Sequence, residues 1–167
     1  MDVETAIRTT RSIRRFTAEP IPQGDLMAIL DAGRRAQSSM NGQPWRFVVV
    51  RDRATLEALG GCGRYAGHLA GAAAGIALVG TQADADLDLG QALAYLQLAA
   101  RARGYGSCIA SMWEPDRAKA ILGIPPEMTF HTALSIGRPA PEELAPRPPK
   151  PGGRLPLDEV VRWERWA

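Results

Sequence analysis

The sequence predicts a mixed α+β sandwich, because helix patterns of period 3.6 alternate along it with apolar runs too short to be helices. The longest helix is marked by Leu89, Leu93, Leu96 and Ala100 on one stripe, with Asp84 or Asp86 at its start and Gly104 at its end. The clearest strands are Phe47-Val48-Val49-Val50 and Ile76-Ala77-Leu78-Val79, the second bounded by Gly75 and Gly80.

The remaining elements follow in order. Asp2 can cap a first helix running to about Thr9. Pro20-Ile21-Pro22 resets the chain, and Leu26, Ile29, Leu30 and Gly33 then predict an amphipathic helix ending near Ala36. After the first strand, Asp52 can cap a short helix through Leu59. Beyond the long helix, whose alanines permit close packing in the core, Ser107 to Ala110 predicts a third strand, Asp116 to Leu122 a helix and Thr132 to Ile136 a fourth strand.

With 167 residues the chain is expected to be one domain, 1–167, around one substantial core. Seven of its thirteen prolines fall between Pro139 and Pro156, so residues 139–167 are expected to form an extended, stiff arm. Trp163 and Trp166, with Val160, give that arm an apolar side suited to burial against a partner subunit.

A net charge of +2 does not fit a nucleic-acid binder, and the eighteen arginines are scattered along the chain. Met1-Asp2-Val3-Glu4 starts no apolar signal segment, and no apolar stretch approaches the ~20 residues needed to cross a bilayer. A cytoplasmic chain without a membrane partner is therefore expected. Cys62 and Cys108 lack CxxC or metal-ligand spacing and are expected as reduced thiols.

Two segments carry the chemistry. Arg11-Ser12-Ile13-Arg14-Arg15-Phe16 sets three guanidinium groups and a hydroxyl between two apolar residues, which suits a phosphate clamp or a solvated basic turn anchored by Ile13 and Phe16. Ser38-Ser39-Met40-Asn41-Gly42-Gln43-Pro44-Trp45 is a loop, since Asn41-Gly42 marks a turn and Pro44 stops a helix. Its neutral donors and acceptors suit the edge of a flat heteroaromatic ring, or simply a polar turn beside a buried Trp45. It holds no carboxylate, imidazole or thiolate for a metal.

Taken together, Arg11, Ser12, Arg14 and Phe16 followed by Ser38, Asn41, Gln43, Pro44 and Trp45 resemble the FMN-dependent nitroreductase family in order and spacing. The resemblance implies a central sheet flanked by helices, and a homodimer with exchanged C-terminal arms and FMN in the subunit interface. It implies that Arg11, Ser12 and Arg14, with Arg15 as a further member, bind the FMN phosphate. Ser38, Ser39, Asn41 and Gln43 would contact the flavin from the opposite protomer. Ile109, Ala110 and Ser111 match the stretch whose backbone lies along the flavin ring, where an N–H can tune its reactive nitrogen. Arg154 aligns with a late arginine that returns to the phosphate, and Lys150 is a weaker match. Thr10 and Gln37 depart from the family's usual arginine and proline. The chain is also short between Leu59 and Ile76 and between Met112 and Lys119, where relatives carry lid segments.

On this resemblance the function is hydride transfer from NAD(P)H through tightly bound FMN to an electron-poor acceptor such as a nitroaromatic or quinone. The flavin would carry the chemistry, with no catalytic side chain and no metal. The alternatives are a flavin store or sensor with little turnover, and a specialised reduced-flavin enzyme of the same fold.

Other signals are weaker. Gly61-Cys62-Gly63-Arg64-Tyr65-Ala66 fits a dinucleotide-binding glycine pattern, but a helix rather than a strand precedes it, so a flexible glycine loop over the active site is expected instead. His68 and His131 have no serine, aspartate or cysteine at triad spacing. Asp84, Asp86 and Asp88 read as helix-start charge rather than metal ligands.

Overall fold

A computed structural model describes residues 1–145 and 153–166. Asp2 caps α1 (Val3–Thr9) by accepting from the Thr5 amide, and α2 (Gln23–Arg34) follows. The next elements are β1 (Trp45–Val50), α3 (Arg53–Gly60, capped by Asp52) and β2 (Ala74–Gly80). Then come α4 (Asp86–Ala102), β3 (Gly106–Ser111), α5 (Pro115–Leu122) and β4 (Thr129–Gly137). Two one-turn helices close the described chain, α6 (Pro141–Leu144) and α7 (Leu157–Val160). Each strand runs longer than expected, because ladder pairing extends into Trp45, Ala74, Gly106 and Thr129. Conversely α2 stops two residues short of Ala36, with Arg35 as its C-cap.

The four strands form one antiparallel sheet in the order β1-β2-β4-β3. Side chains alternate across it, so each face builds its own core. On one face Leu56, Leu59 and Leu69 pack with Phe130 under α3 and α5. On the other, Leu26 and Ile29 of α2 and Leu96 and Ala100 of α4 pack on Ile76, Leu78, Leu134 and Ile136. Gly33 lets α2 and α4 approach closely, since a Cβ there would lie 2.6 Å from Leu96 Cδ2.

The long helix is not enclosed on all sides. Ala92, Leu96 and Ala100 are buried, whereas Leu87 and Tyr95 remain exposed on α4. At the C-terminal end the start of the expected arm, residues 139–143, is packed rather than extended away. Pro139 pairs with Phe16, and Ala140 and Glu143 are buried, so this proline-containing stretch folds back onto the N-terminal segment. In residues 153–166 the hydrogen bonds among the described residues close within the segment, and Trp163 and Trp166 are 79% and 89% exposed.

Candidate functional site

The arginine segment is held as an extra edge on the sheet. Beyond α1 the chain extends, Ser12 pairs in parallel with Ser107, and the Ile13 amide donates to the Ser107 carbonyl at 2.9 Å. Glycines make room for its two apolar anchors: a Cβ on Gly106 would lie 2.7 Å from Ile13, and one on Gly137 would lie 2.9 Å from Phe16. With Ile13 buried and Phe16 mostly so, the intervening Arg14 and Arg15 are turned outward.

Glu143 fixes the backbone between them. Its Oε1 accepts from the amides of Arg14 at 3.3 Å and Arg15 at 3.2 Å, while its carbonyl accepts from the Arg11 guanidinium. Arg11 also reaches the Ala145 carbonyl at 3.4 Å, and Arg15 pairs with Glu142 at 3.6 Å. Arg14 forms no ion pair among the described residues. Beside this segment lies a cavity of about 370 Å³, lined by Arg8, Arg11, Arg101, Tyr105 and Ser107 among others.

Next to the arginines, β3 offers a partly open edge. Because the Ser107 carbonyl faces the N-terminal segment and backbone groups alternate, the amides of Ile109 and Ser111 point the same way, away from β4. The Ala110 amide turns inward to the β3–β4 ladder and its side chain is buried, so of these three residues it offers the edge nothing. Ile109 itself is 43% exposed.

The structure also supplies a residue that sequence spacing missed. His68 Nδ1 lies 2.7 Å from Ser135 Oγ, and that hydroxyl donates to the Cys108 carbonyl at 3.2 Å. Which of the two donates across the His68–Ser135 contact depends on the imidazole tautomer. Nε2 is buried and has no partner among the described residues. Burial pushes the imidazole pKa below the ordinary 6.5, the Arg14 guanidinium pushes it the same way, and the Ile109 backbone opposes them. Ser135 is 67 positions from His68 and fully buried on β4, so no local motif could have revealed the pair.

The second motif lies elsewhere. Ser39 donates its amide to Asp88 at 3.4 Å, at the start of α4, whereas Arg101 in the last turn of α4 reaches Thr9 Oγ1 at 3.1 Å beside the arginines. Along an α-helix those two points are about 20 Å apart. One chain therefore does not bring Ser38, Ser39, Asn41 and Gln43 to Arg11, Ser12, Arg14 and Arg15. The loop is nonetheless tightly shaped. Gln43 donates its amide to Ser38 Oγ at 3.0 Å, and Met40, Asn41 and Gln43 all adopt left-handed φ of 49°, 56° and 47°. Such backbone is costly for non-glycine residues and clusters where chain geometry serves a site.

Arg154 is exposed and makes no bond to the arginine segment among the described residues. Lys150 lies outside the described residues. The glycine loop is not free: the Cys62 carbonyl accepts from Trp113 at 2.9 Å and Glu114 at 3.0 Å, and a Cβ on Gly63 would lie 2.2 Å from the Ser111 carbonyl oxygen. Cys62 and Cys108 are free, buried thiols, and no metal-ligand cluster occurs among the described residues. No helix there is long and apolar enough to cross a membrane.

These features fit FMN. The cavity lined by Arg8, Arg11 and Arg101 suits a phosphate, the open amides of β3 suit the edge of a flat ring, and the unpartnered His68 Nε2 suits a polar group brought in by a ligand.

The Nitroreductase family model matches residues 7–83 and 62–138. The NADH dehydrogenase of Thermus thermophilus is 33% identical over 203 residues, covering 98% of this chain and 96% of that protein. A Desulfovibrio desulfuricans protein solved in complex with FMN is 29% identical with a TM-score of 0.80, covering 100% of this chain and 99% of that one. The FMN-dependent nitroreductase of Clostridium difficile shares the fold at a TM-score of 0.83 and 23% identity, covering 96% and 98%. By sequence and fold, this chain belongs to the nitroreductase family of oxidoreductases.

Proposed function

We propose that the protein is an FMN-dependent oxidoreductase that works as a homodimer with two composite sites. When bound, FMN supplies hydride transfer from NAD(P)H to an electron-poor acceptor such as a nitroaromatic or quinone. The chain supplies binding, orientation and electrostatics. Arg11, Ser12 and Arg14, with Arg15 beside them, hold the phosphate; the Ile109 and Ser111 amides orient the ring edge; and the second protomer's copies of Ser38, Ser39, Asn41 and Gln43 complete the site. Arg154 is a further phosphate ligand that the arm can deliver.

One observation carries this reading: the two halves of the motif stand at opposite ends of α4. A second copy is the simplest way to join them. The exposed Leu87 and Tyr95 on α4, and the exposed Trp163 and Trp166 on the arm, supply apolar surface for that contact. Visible absorbance of the purified protein, before and after FMN addition and desalting, is the primary test. A retained flavin spectrum supports the site, and a colourless protein refutes it. NAD(P)H oxidation with a quinone then separates an enzyme from a flavin store, which would hold flavin that NAD(P)H never reduces.

A further inference from the structure

Three residues at the tip of β3 form a cluster that the flavin site does not use. Arg64 Cζ lies 5.4 Å from the Tyr65 ring centroid and 5.8 Å from that of Trp113, so one guanidinium serves two aromatic rings. Both rings are open to solvent, with Tyr65 72% and Trp113 62% exposed. Large aromatics grouped on a surface mark binding sites more often than chance exposure does.

The cluster is held in place by its backbone. The two amides bonded to the Cys62 carbonyl staple Trp113 and Glu114 to the glycine loop, and the close approach of Gly63 to the Ser111 carbonyl locks that loop against β3. Trp113 follows Ser111 by two residues, so the rings stand roughly 7 Å along the chain from the open edge of β3. The charge is uncompensated. Arg64 has no carboxylate partner among the described residues, and Glu114 is taken by Arg117 at 3.2 Å.

We propose that Arg64, Tyr65 and Trp113 form a binding platform for a planar aromatic group that carries an anionic substituent. The ring stacks on the exposed aromatic faces and the anion pairs with the guanidinium fork. Beside a flavin site, such a group comes either from an anionic aromatic acceptor or from the phosphorylated adenosine of the reductant. The platform's role in turnover rests on the oxidoreductase reading, but its binding chemistry does not.

The test is calorimetric titration of the full-length protein, as purified, with naphthalene-2-sulfonate and separately with 2′-AMP. It uses the wild type, Arg64→Ala, Arg64→Lys and Trp113→Ala. Loss of one guanidinium–anion pair at an exposed site predicts about tenfold weaker binding in Arg64→Ala. Partial recovery is expected in Arg64→Lys, as is weakening in Trp113→Ala, with flavin content and dimer mass unchanged. Weakening for the sulfonate alone identifies an acceptor platform, and weakening for 2′-AMP alone a nucleotide platform. Equal affinities of wild type and Arg64→Ala for both probes overturn the proposal. So does loss of the dimer in Arg64→Ala, which would assign the cluster to a subunit contact. Arg64-dependent binding by a protein that holds no flavin would leave the platform standing and remove the oxidoreductase reading.

Discussion

Replacing Glu143 by alanine should loosen the arginine segment without touching any arginine. Glu143 is 5% exposed, and its carboxylate accepts from two amides, those of Arg14 and Arg15, at 3.3 and 3.2 Å. A hydrogen bond to a charged acceptor contributes about 1.5–3 kcal/mol. Both bonds are longer than the ~2.9 Å optimum, which places each at the low end, or roughly 3 kcal/mol for the pair. In a chain of this size that corresponds to about 6–12 °C in Tm. Glu143→Gln keeps an amide oxygen in place of Oε1 and should lose less than half as much. The assay is thermal melting followed by dichroism, paired with FMN titration by fluorescence quenching. Alanine should lower both Tm and FMN affinity, with glutamine between it and the wild type. An alanine variant that melts within 1 °C of wild type and binds FMN equally would refute the role given to Glu143.

Arg11→Ala should weaken FMN retention by about tenfold or more, since charge-assisted phosphate bonds contribute about 1.5–3 kcal/mol; equilibrium dialysis of flavin reads this directly. Gly63→Ala should cost at least 1–3 kcal/mol in denaturant unfolding, because its Cβ would sit 2.2 Å from a backbone oxygen, whereas Gly67→Ala, with open space around it, should change little. His68 imposes a pH dependence. Its folded pKa lies below 6.5, so the unfolded chain binds more protons as pH falls through 6.5, and stability should drop there while staying flat above it. The lowered Asp2, Asp31 and Asp52 act in a separate window, at and below 3.8. Urea midpoints between pH 7.5 and 5.5 should therefore slope in the wild type and flatten in His68→Phe. Removal of residues 157–167 should yield a folded monomer by light scattering, with weakened flavin retention; a truncated chain that stays dimeric and yellow contradicts the exchanged arm.

The order of helices and strands through β4 was legible because those elements announce themselves locally, by the Asp2 and Asp52 caps, the Leu96 stripe and the β-branched run of β1; the one-turn helices α6 and α7 carry no such signal in a proline-rich stretch. Strand order was not, because nothing in the residues of β3 records that it pairs with β4 at the sheet edge. The arginine segment and the Ser38–Gln43 loop were legible as motifs through residue types at short spacing. Their separation was not, since it depends on the length and direction of α4. His68 stands isolated in the sequence because its partner arrives through the β3–β4 register, which sets Cys108 opposite Ser135. The expected freedom of the glycine loop failed for a related reason. Glycine at 63 serves close packing against Ser111, a contact invisible in composition alone.

The length of α4 makes it a ruler. Its first turn meets Ser39 and its last meets Thr9, so it fixes how far the loop of one chain stands from that chain's own arginines. Inserting one residue would lengthen the ruler by 1.5 Å and rotate one end against the other by about 100°. The insertion would also carry Ala92 off the stripe it shares with Leu96 and Ala100. Exchanging one small apolar residue for another on that stripe leaves the ruler unchanged. The helix can therefore drift in composition while its residue count stays bound, and an enzyme of this design should tolerate many substitutions in α4 but no single-residue insertion or deletion.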